Sequence, residues 1–228
     1  MPGGTGPCAG IEPDDTPEDL IVGAGIGGLT AALSLIRRGF PVEVHEQAVE
    51  LKEVGAGVQI SPNGTRLLYE LGLGEAVAAI SCETPGKEIR LWSTGQSWAP
   101  FDLVRECVER YGYPYCTVYR PDLLAVLERA VREAAPGAIC LSRKAIGFEE
   151  AGTRIRLHFA GGGSVEGDAL IGADGIHSVI RRQLWGEDAA RFVGLYAWRG
   201  VIPMERLPAH LCRSVSTNWV GPGRHVVH

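Results

Sequence analysis

Leu20-Ile21-Val22-Gly23-Ala24-Gly25-Ile26-Gly27-Gly28-Leu29, followed by Val42-Glu43-Val44-His45-Glu46, is the stretch that decides how this chain folds. Gly23, Gly25 and Gly28 form a G-x-G-x-x-G spacing directly behind an apolar strand signal, and Glu46 closes the next strand. The order is strand, glycine turn, helix, strand, acid, which is the order of a dinucleotide site. Each part has a physical task. Gly23 permits a sharp turn, Gly25 lets a pyrophosphate approach bare backbone, and Gly28 lets helix and strand pack closely. The helix N-terminus, reached through Ala24, offers unpaired N–H groups and partial positive charge to phosphates. Glu46 accepts hydrogen bonds from a ribose diol and repels a 2′-phosphate.

A glycine spacing alone is weak evidence in a chain with 31 glycines, so its surroundings carry the weight. Leu29, Ala32, Leu33 and Ile36 recur on one face of a helix. Gly39 and Pro41 stop that helix. Val42 and Val44 then alternate with Glu43 and His45 as in a short strand. A secretory signal does not fit, because residues 12–19 are acidic rather than basic. The apolar run is also short and glycine-rich for a membrane span.

The net charge of −5 gives no electrostatic reason to expect nucleic acid or an anionic membrane as partner. The six cysteines show no C-x-x-C and no metal-like histidine spacing. They read as reduced thiols of a cytoplasmic protein without a metal. Residues 1–19, rich in Gly, Pro and acid, read as a disordered tail.

Further along, Gly55-Ala56-Gly57-Val58-Gln59 permits close backbone approach to something flat or bulky. Ser61 and Pro62 predict the N-cap and first position of a helix carrying Leu67, Leu68 and Leu71 and ending near Gly72. Residues 88–93 read as a strand, and residues 95–116 as irregular and aromatic. Pro121 opens a helix with Leu123, Leu124, Leu127 and Val131 on one face, and Arg120 stands just outside it. Residues 139–160 predict short antiparallel strands with one solvated face. Asp168 to Asp174 is a buried strand ending in Asp-Gly, followed by a helix from about His177. Residues 192–202 and 214–227 predict further strands, in a second sheet that covers a ligand.

These segments together resemble the flavin-dependent aromatic hydroxylases, the single-component FAD monooxygenases. Within them the chain is most similar to the salicylate, 3-hydroxybenzoate and 6-hydroxynicotinate hydroxylase branch. The resemblance runs from about Leu20 to the last residue. It rests on Gly23 to Glu46, Gly55 to Asn63, Tyr119 to Leu123, Gly172 to Arg181, Trp198-Arg199-Gly200, and Trp219 to His228. It implies an α/β fold: a Rossmann-like, three-layer β-β-α FAD-binding domain with an interleaved, incomplete antiparallel substrate sheet. The FAD-binding segments would be 20–80 and 117–187, and the substrate segments 81–116 and 188–228.

By that resemblance Gly23, Ala24, Gly25 and Gly28 hold the FAD pyrophosphate and Glu46 the adenosine ribose. Gly57 and Val58 pass beside the isoalloxazine, and Arg120 reaches the ribityl-phosphate region, where a guanidinium fork suits phosphate. Asp174 lies by the pyrophosphate and ribityl chain. Arg120 also fits a solvated residue ahead of a helix, and Asp174 also fits a helix cap. Gln59 is the candidate side chain facing flavin or substrate, beside its reading as a structural glutamine; the hydroxynicotinate members carry His there. The implied reaction uses NADH or NADPH, O₂ and a small phenolic or hydroxypyridine carboxylate, through a flavin C4a-hydroperoxide. Among the candidate bases His45, His225 and His228, His45 reads as solvent-facing beside the ribose site.

The family continues past residue 228 with a Gly-Asp-Ala-Ala-His-Pro type segment, so the sequence reads as a truncated member ending in mid-strand, its last hairpin left with one arm. That leaves open a non-catalytic nucleotide-binding fragment. An NAD-dependent dehydrogenase is a third reading, which the Gly55–Asn63 and Asp174-Gly175 segments disfavour. A relative acting on lipids or isoprenoids is a fourth.

Overall fold

The computed structural model describes residues 19–52, 55–82, 86–187, 191–209, 212–213 and 215–228, and for 99–101 the backbone only. In chain order the first elements are β1 (Asp19–Val22), α1 (Ile26–Ile36), β2 (Val42–His45), β3 (Gly57–Ile60), α2 (Pro62–Glu70), α3 (Gly74–Ile80) and β4 (Ser81–Cys82). Then come β5 (Lys87–Leu91), β6 (Ser97–Phe101), α4 (Leu103–Tyr111), β7 (Cys116–Tyr119), α5 (Arg120–Ala134), β8 (Ile139–Cys140) and β9 (Ala145–Ala151). The last are β10 (Arg154–Phe159), β11 (Ser164–Gly167), β12 (Ala169–Gly172), α6 (Val179–Trp185), β13 (Ser216–Gly221) and β14 (Arg224–Val227). The described residues of Met1–Glu53 and Leu124–Tyr196 form one compact unit, and those of Val54–Leu123 and Ala197–His228 another.

The first unit is the β-β-α arrangement expected. β12, β1, β2 and β8 form a parallel sheet in that order. Helix α1 packs on β1 and β2, burying Leu29, Ala32 and Leu33 completely. On the other face lies the antiparallel sheet β11-β10-β9. Leu20 and Val22 of β1 meet Leu157 and Phe159 of β10, with Ala145 and Ile180, in the hydrophobic core. Ile21, pointing the other way by strand alternation, is equally buried.

Parallel sheets are covered on both faces, and this overturns the solvent-facing reading of His45 on β2. All four of its residues are buried. Glu43 and His45 share a face, His45 Nε2 lying 3.2 Å from Glu43 Oε2, although neither ring nitrogen of His45 makes a hydrogen bond among the described residues. The His45 ring tilts against Phe159 at 4.8 Å between centroids. His45 is therefore an interior residue, 2% exposed, and not solvent-facing as the alternation suggested.

The second unit holds an antiparallel sheet, β3-β7-β4, and a sheet ordered β14-β13-β5-β6. The latter is mixed: β13 runs parallel to β5, and the other two pairings are antiparallel. The turn at Pro222-Gly223 joins two full arms, with Asn218 opposite Val227 and Gly221 opposite Arg224, so the expected one-armed hairpin is not what forms. Ser61 and Pro62 start α2 as predicted, but the Ser61 hydroxyl bonds Asn63 instead of capping the helix. Of the leucines expected on its buried face, Leu68 and Leu71 are buried and Leu67 is 41% exposed.

Two other expectations fail. The irregular reading of 95–116 misses β6 and α4. Helix α4 buries little, Cys107 alone among its residues, so its apolar pattern is faint. Its ends are well marked: Asp102 accepts from the Arg105 N–H, and Gly112 closes it with a left-handed φ of 75°. Residues 192–202, expected as a strand, have no regular structure, and their large apolar side chains are exposed. The expected tail over 1–19 lies outside the described residues apart from Asp19, which opens β1. Among the described residues no helix is long and apolar enough to cross a membrane.

Candidate nucleotide and substrate sites

The glycine turn sits at the carboxyl ends of β1 and β12, which pair in parallel with Val22 opposite Gly172. Open α/β sheets bind ligands at this edge. Gly23 takes φ +101°, and a Cβ there would stand 2.4 Å from the Ala173 carbonyl oxygen. A Cβ on Gly28 would stand 1.8 Å from the Gly23 oxygen. Both glycines are thus required by the chain's own packing. Gly25 differs: its φ is −72°, and a Cβ would meet nothing within 4 Å. The space beside it is open, which is the room a phosphate needs.

Glu46 is tied into this turn. Its Oε2 accepts from the Ala24 N–H at 2.8 Å and its Oε1 from the Ala48 N–H at 2.9 Å. The Ala24 amide is thereby committed, and the first-turn amides of α1 are left for an anion because they have no intrahelical acceptor. A carboxylate has about four lone-pair positions, so Glu46 keeps capacity for a ribose hydroxyl.

Asp174 follows β12 at the same edge, its Cα 3.1 Å from where a Gly23 Cβ would be. Its carboxylate caps α6, accepting from the Ser178 hydroxyl at 2.5 Å and the Val179 N–H at 2.6 Å. Ser178 in turn accepts from the Arg181 N–H at 2.9 Å. The capping role is therefore formed.

Gly23, Ala24, Gly25, Gly28, Glu46 and Asp174 belong to the first unit, and Gly57, Val58, Gln59 and Arg120 to the second. Within the second, Arg120 opens α5 and its N–H donates to the Ala56 oxygen at 3.3 Å. The flat group packed on Gly55 is the chain's own Pro121 ring, whose Cδ lies 2.8 Å from the position of an added Cβ. Gly57 has room: a Cβ would make only an ordinary 3.7 Å contact with Thr117.

Gln59, on β3, is fixed at both ends. Its Oε1 accepts from the Tyr115 hydroxyl at 2.7 Å, and its Nε2 donates to Ser216 Oγ at 3.3 Å. Burial pushes the Tyr115 phenol up, so Tyr115 stays protonated and able to donate. Gln59, Lys87, Glu88, Ile89, Ser216, Asn218 and Val227 line a cavity of about 280 Å³.

Glu88 is a buried carboxylate on β5. Arg90 at 2.9 Å, Arg213 at 3.2 Å and the Thr217 hydroxyl at 3.3 Å surround it. The hydrogen bond from Arg90 chiefly holds it below the usual carboxylate range against the opposing effect of burial. Arg90 also lies over the Trp219 ring at 5.4 Å, and Trp219 donates to His228 Nε2 at 3.1 Å. No sequence cue marks this network beyond the residue types, because its members come from segments far apart in the chain.

Glu43, His45 and Cys140 bring potential metal-ligand atoms within 4.8 Å of one another. Cys140 is disulfide-bonded and offers no thiolate, which also corrects the reading of all six cysteines as reduced. Cys82, Cys107, Cys116 and Cys212 are free thiols.

Comparison with known proteins places the chain in a family. Residues 18–211 match the FAD binding domain family. The chain is 40% identical over 209 residues to 3-amino-4-hydroxybenzoate 2-monooxygenase of Streptomyces cremeus, covering 91% of this chain and 52% of that protein. It is 36% identical over 217 residues to 3-hydroxybenzoate 6-hydroxylase of Polaromonas naphthalenivorans, covering 94% and 54%. The structure of Klebsiella pneumoniae HpxO with FAD and uric acid superposes with a TM-score of 0.70 at 26% identity, covering 92% of this chain and 52% of that one. The chain thus spans about half the length of the curated relatives it matches. A glycine turn shaped by its own packing, an acid bound to that turn, and a family match over most of the sequence lead to one conclusion: this chain belongs to the FAD binding domain family, a flavin monooxygenase family.

Proposed function

We propose that this chain is the FAD-binding part of an NAD(P)H-dependent monooxygenase that hydroxylates a phenolic or hydroxypyridine carboxylate. The observation that carries this reading is the open backbone at Gly25 beside Glu46, between Gly23 and Gly28, which are sterically obligatory. FAD, once reduced by NADH or NADPH, supplies the activation of O₂.

The chain's own residues have the remaining tasks. The first-turn amides of α1 face the pyrophosphate, and Glu46 accepts from the adenosine ribose while it pins Ala24. Gly57 and Val58 present backbone to the flavin ring, and Arg120 offers a guanidinium to the phosphate end. Asp174 acts through α6, which it caps, and through its place beside Gly23. Gln59 presents amide N–H groups to a substrate oxyanion, since Tyr115 occupies its oxygen. The substrate class is supported by relatives whose names specify hydroxybenzoates and 6-hydroxynicotinate.

The test is a flavin titration of the purified chain followed by desalting. A retained, stoichiometric flavin with shifted absorbance is expected, and NADH or NADPH oxidation stimulated by a hydroxybenzoate would establish the activity. A chain that keeps no flavin after saturation would overturn the assignment of these residues as a sufficient FAD site.

A further inference from the structure

We propose that Lys87 and Asn218 select the aromatic ring that this chain accepts: the Lys87 ammonium takes a ring carboxylate, and the Asn218 amide oxygen takes an O–H or N–H on the same ring. The inference rests on the reading of the chain as part of a flavin hydroxylase and assigns its substrate contacts.

The strand register puts the two residues on one surface. Lys87 lies opposite Ser216, Ile89 opposite Asn218, and Asn218 opposite Val227. Paired residues point to the same face of a sheet, as do residues two apart. One face of the sheet therefore carries Lys87, Ile89, Ser216, Asn218 and Val227, and these five line the cavity together with Gln59 and Glu88. Its volume of about 280 Å³ falls just below the range of roughly 300–1,000 Å³ typical for drug-sized ligands. It suits a single six-membered ring with small substituents.

The polar groups of this wall do not cancel one another. Lys87 has no carboxylate partner among the described residues, and its ammonium rests 5.8 Å from the Tyr115 ring centre. Glu88 is adjacent in sequence, but its carboxylate is taken by Arg90, Arg213 and Thr217. Gln59 adds amide N–H groups, one of which already reaches Ser216. Asn218 Oδ1 is buried with no hydrogen-bond partner among the described residues. Buried acceptors left open are rare in folded proteins, and this one belongs to a residue of the cavity wall. The wall thus combines a mainly apolar surface with a cation, N–H donors and, buried at Asn218, an amide oxygen that has no hydrogen bond among the described residues. Its complement is a small ring bearing an anion and a hydrogen-bond donor.

The experiment is calorimetric titration of the 228-residue chain with phenol, benzoate and the better bound of 3- and 4-hydroxybenzoate, with FAD binding measured on the same preparations by flavin fluorescence. The hydroxybenzoate should bind about tenfold tighter than benzoate, one net hydrogen bond's worth. Asn218→Leu should erase that preference and leave benzoate binding in place. Asn218→Ser, a smaller change, should do the same if the leucine variant folds poorly by circular dichroism. Lys87→Met should weaken both acids about tenfold without affecting phenol, and Lys87→Arg should restore them. An intact preference in both Asn218 variants, or unchanged acid binding in Lys87→Met, would overturn the assignment. So would a wild-type chain that binds FAD but none of the three rings, while the flavin reading stands. Ring binding with these preferences in a chain that takes no FAD would sink the flavin reading and leave the ring selection intact.

Discussion

The glycine turn of the first unit and the cavity wall of the second are both candidate ligand sites, and they are prepared in different ways. In the turn, backbone shapes the site, and Gly23 and Gly28 are boxed in by carbonyl oxygens of the chain itself. The Ala24 amide and both oxygens of Glu46 already have partners. Little needs to move when a nucleotide arrives. In the cavity wall side chains shape the site: among the described residues the Lys87 ammonium meets only the Tyr115 ring and no carboxylate, and a buried amide oxygen has no hydrogen bond. A backbone turn suits a cofactor common to a whole family, whereas side chains that change singly suit a substrate that differs from one member to the next.

The comparison can be broken most forcefully at Gly28. Its Cβ would overlap the Gly23 oxygen at 1.8 Å, so Gly28→Ala should cost about 3 kcal/mol or more of stability, read as a lower urea midpoint. Glu46→Ala removes a charged acceptor from two amides and should cost about 2 kcal/mol together with weaker FAD retention; unchanged retention would end the ribose assignment. Gly25→Ala sharpens the contrast. A poorer helix cap and a stiffer unfolded chain should offset each other to within about 0.5 kcal/mol. FAD affinity should nevertheless fall about tenfold, because the added methyl fills the space a phosphate needs. If the urea midpoint falls as far as in Gly28→Ala, the distinction between structural and ligand-facing glycines is wrong.

Smaller effects probe the supports of each site. Ser178→Ala removes the side-chain acceptor at the start of α6 and should cost about 1 kcal/mol, measured by thermal melting. In the second unit, Glu88 has a depressed folded-state pKa caused first by its hydrogen bond from Arg90. A depressed carboxylate pKa contributes stability that is complete above the unfolded value, near 4.5, and is lost as pH falls through the folded one. Wild-type chain should therefore lose stability on acidification below that value more steeply than Glu88→Gln. Identical pH profiles would show that the buried carboxylate makes no such contribution.

What could be read from sequence follows the range of the interactions involved. The β1-turn-α1-β2 unit is visible because its parts lie within one short stretch and every glycine has a fixed offset. Helix α4 was hidden because a helix that buries only Cys107 carries little apolar periodicity, although Asp102 and Gly112 mark both ends. Residues 192–202 have the Phe, Tyr, Trp and Val of a strand, but strand preference is largely packing against neighbours, and the structure pairs none of them. The Glu43 and His45 positions misled for the converse reason: in an interior strand a polar side chain can face a partner instead of water. The wall joining Lys87 to Asn218 was out of reach, because it exists only through a parallel pairing between strands far apart in the chain.

The pairing of β1 with β12 also bears on the order in which the protein is made. Gly23 leaves the ribosome early, but the carbonyl that packs against it belongs to Ala173, near the far end of the first unit. Until that residue emerges, the turn has β2 and α1 on one side and nothing on the other. Long-range parallel pairings form slowly, so the nucleotide site is among the last features of its unit to be completed. A ligand that needs this turn closed on both sides therefore depends on β12 having paired with β1.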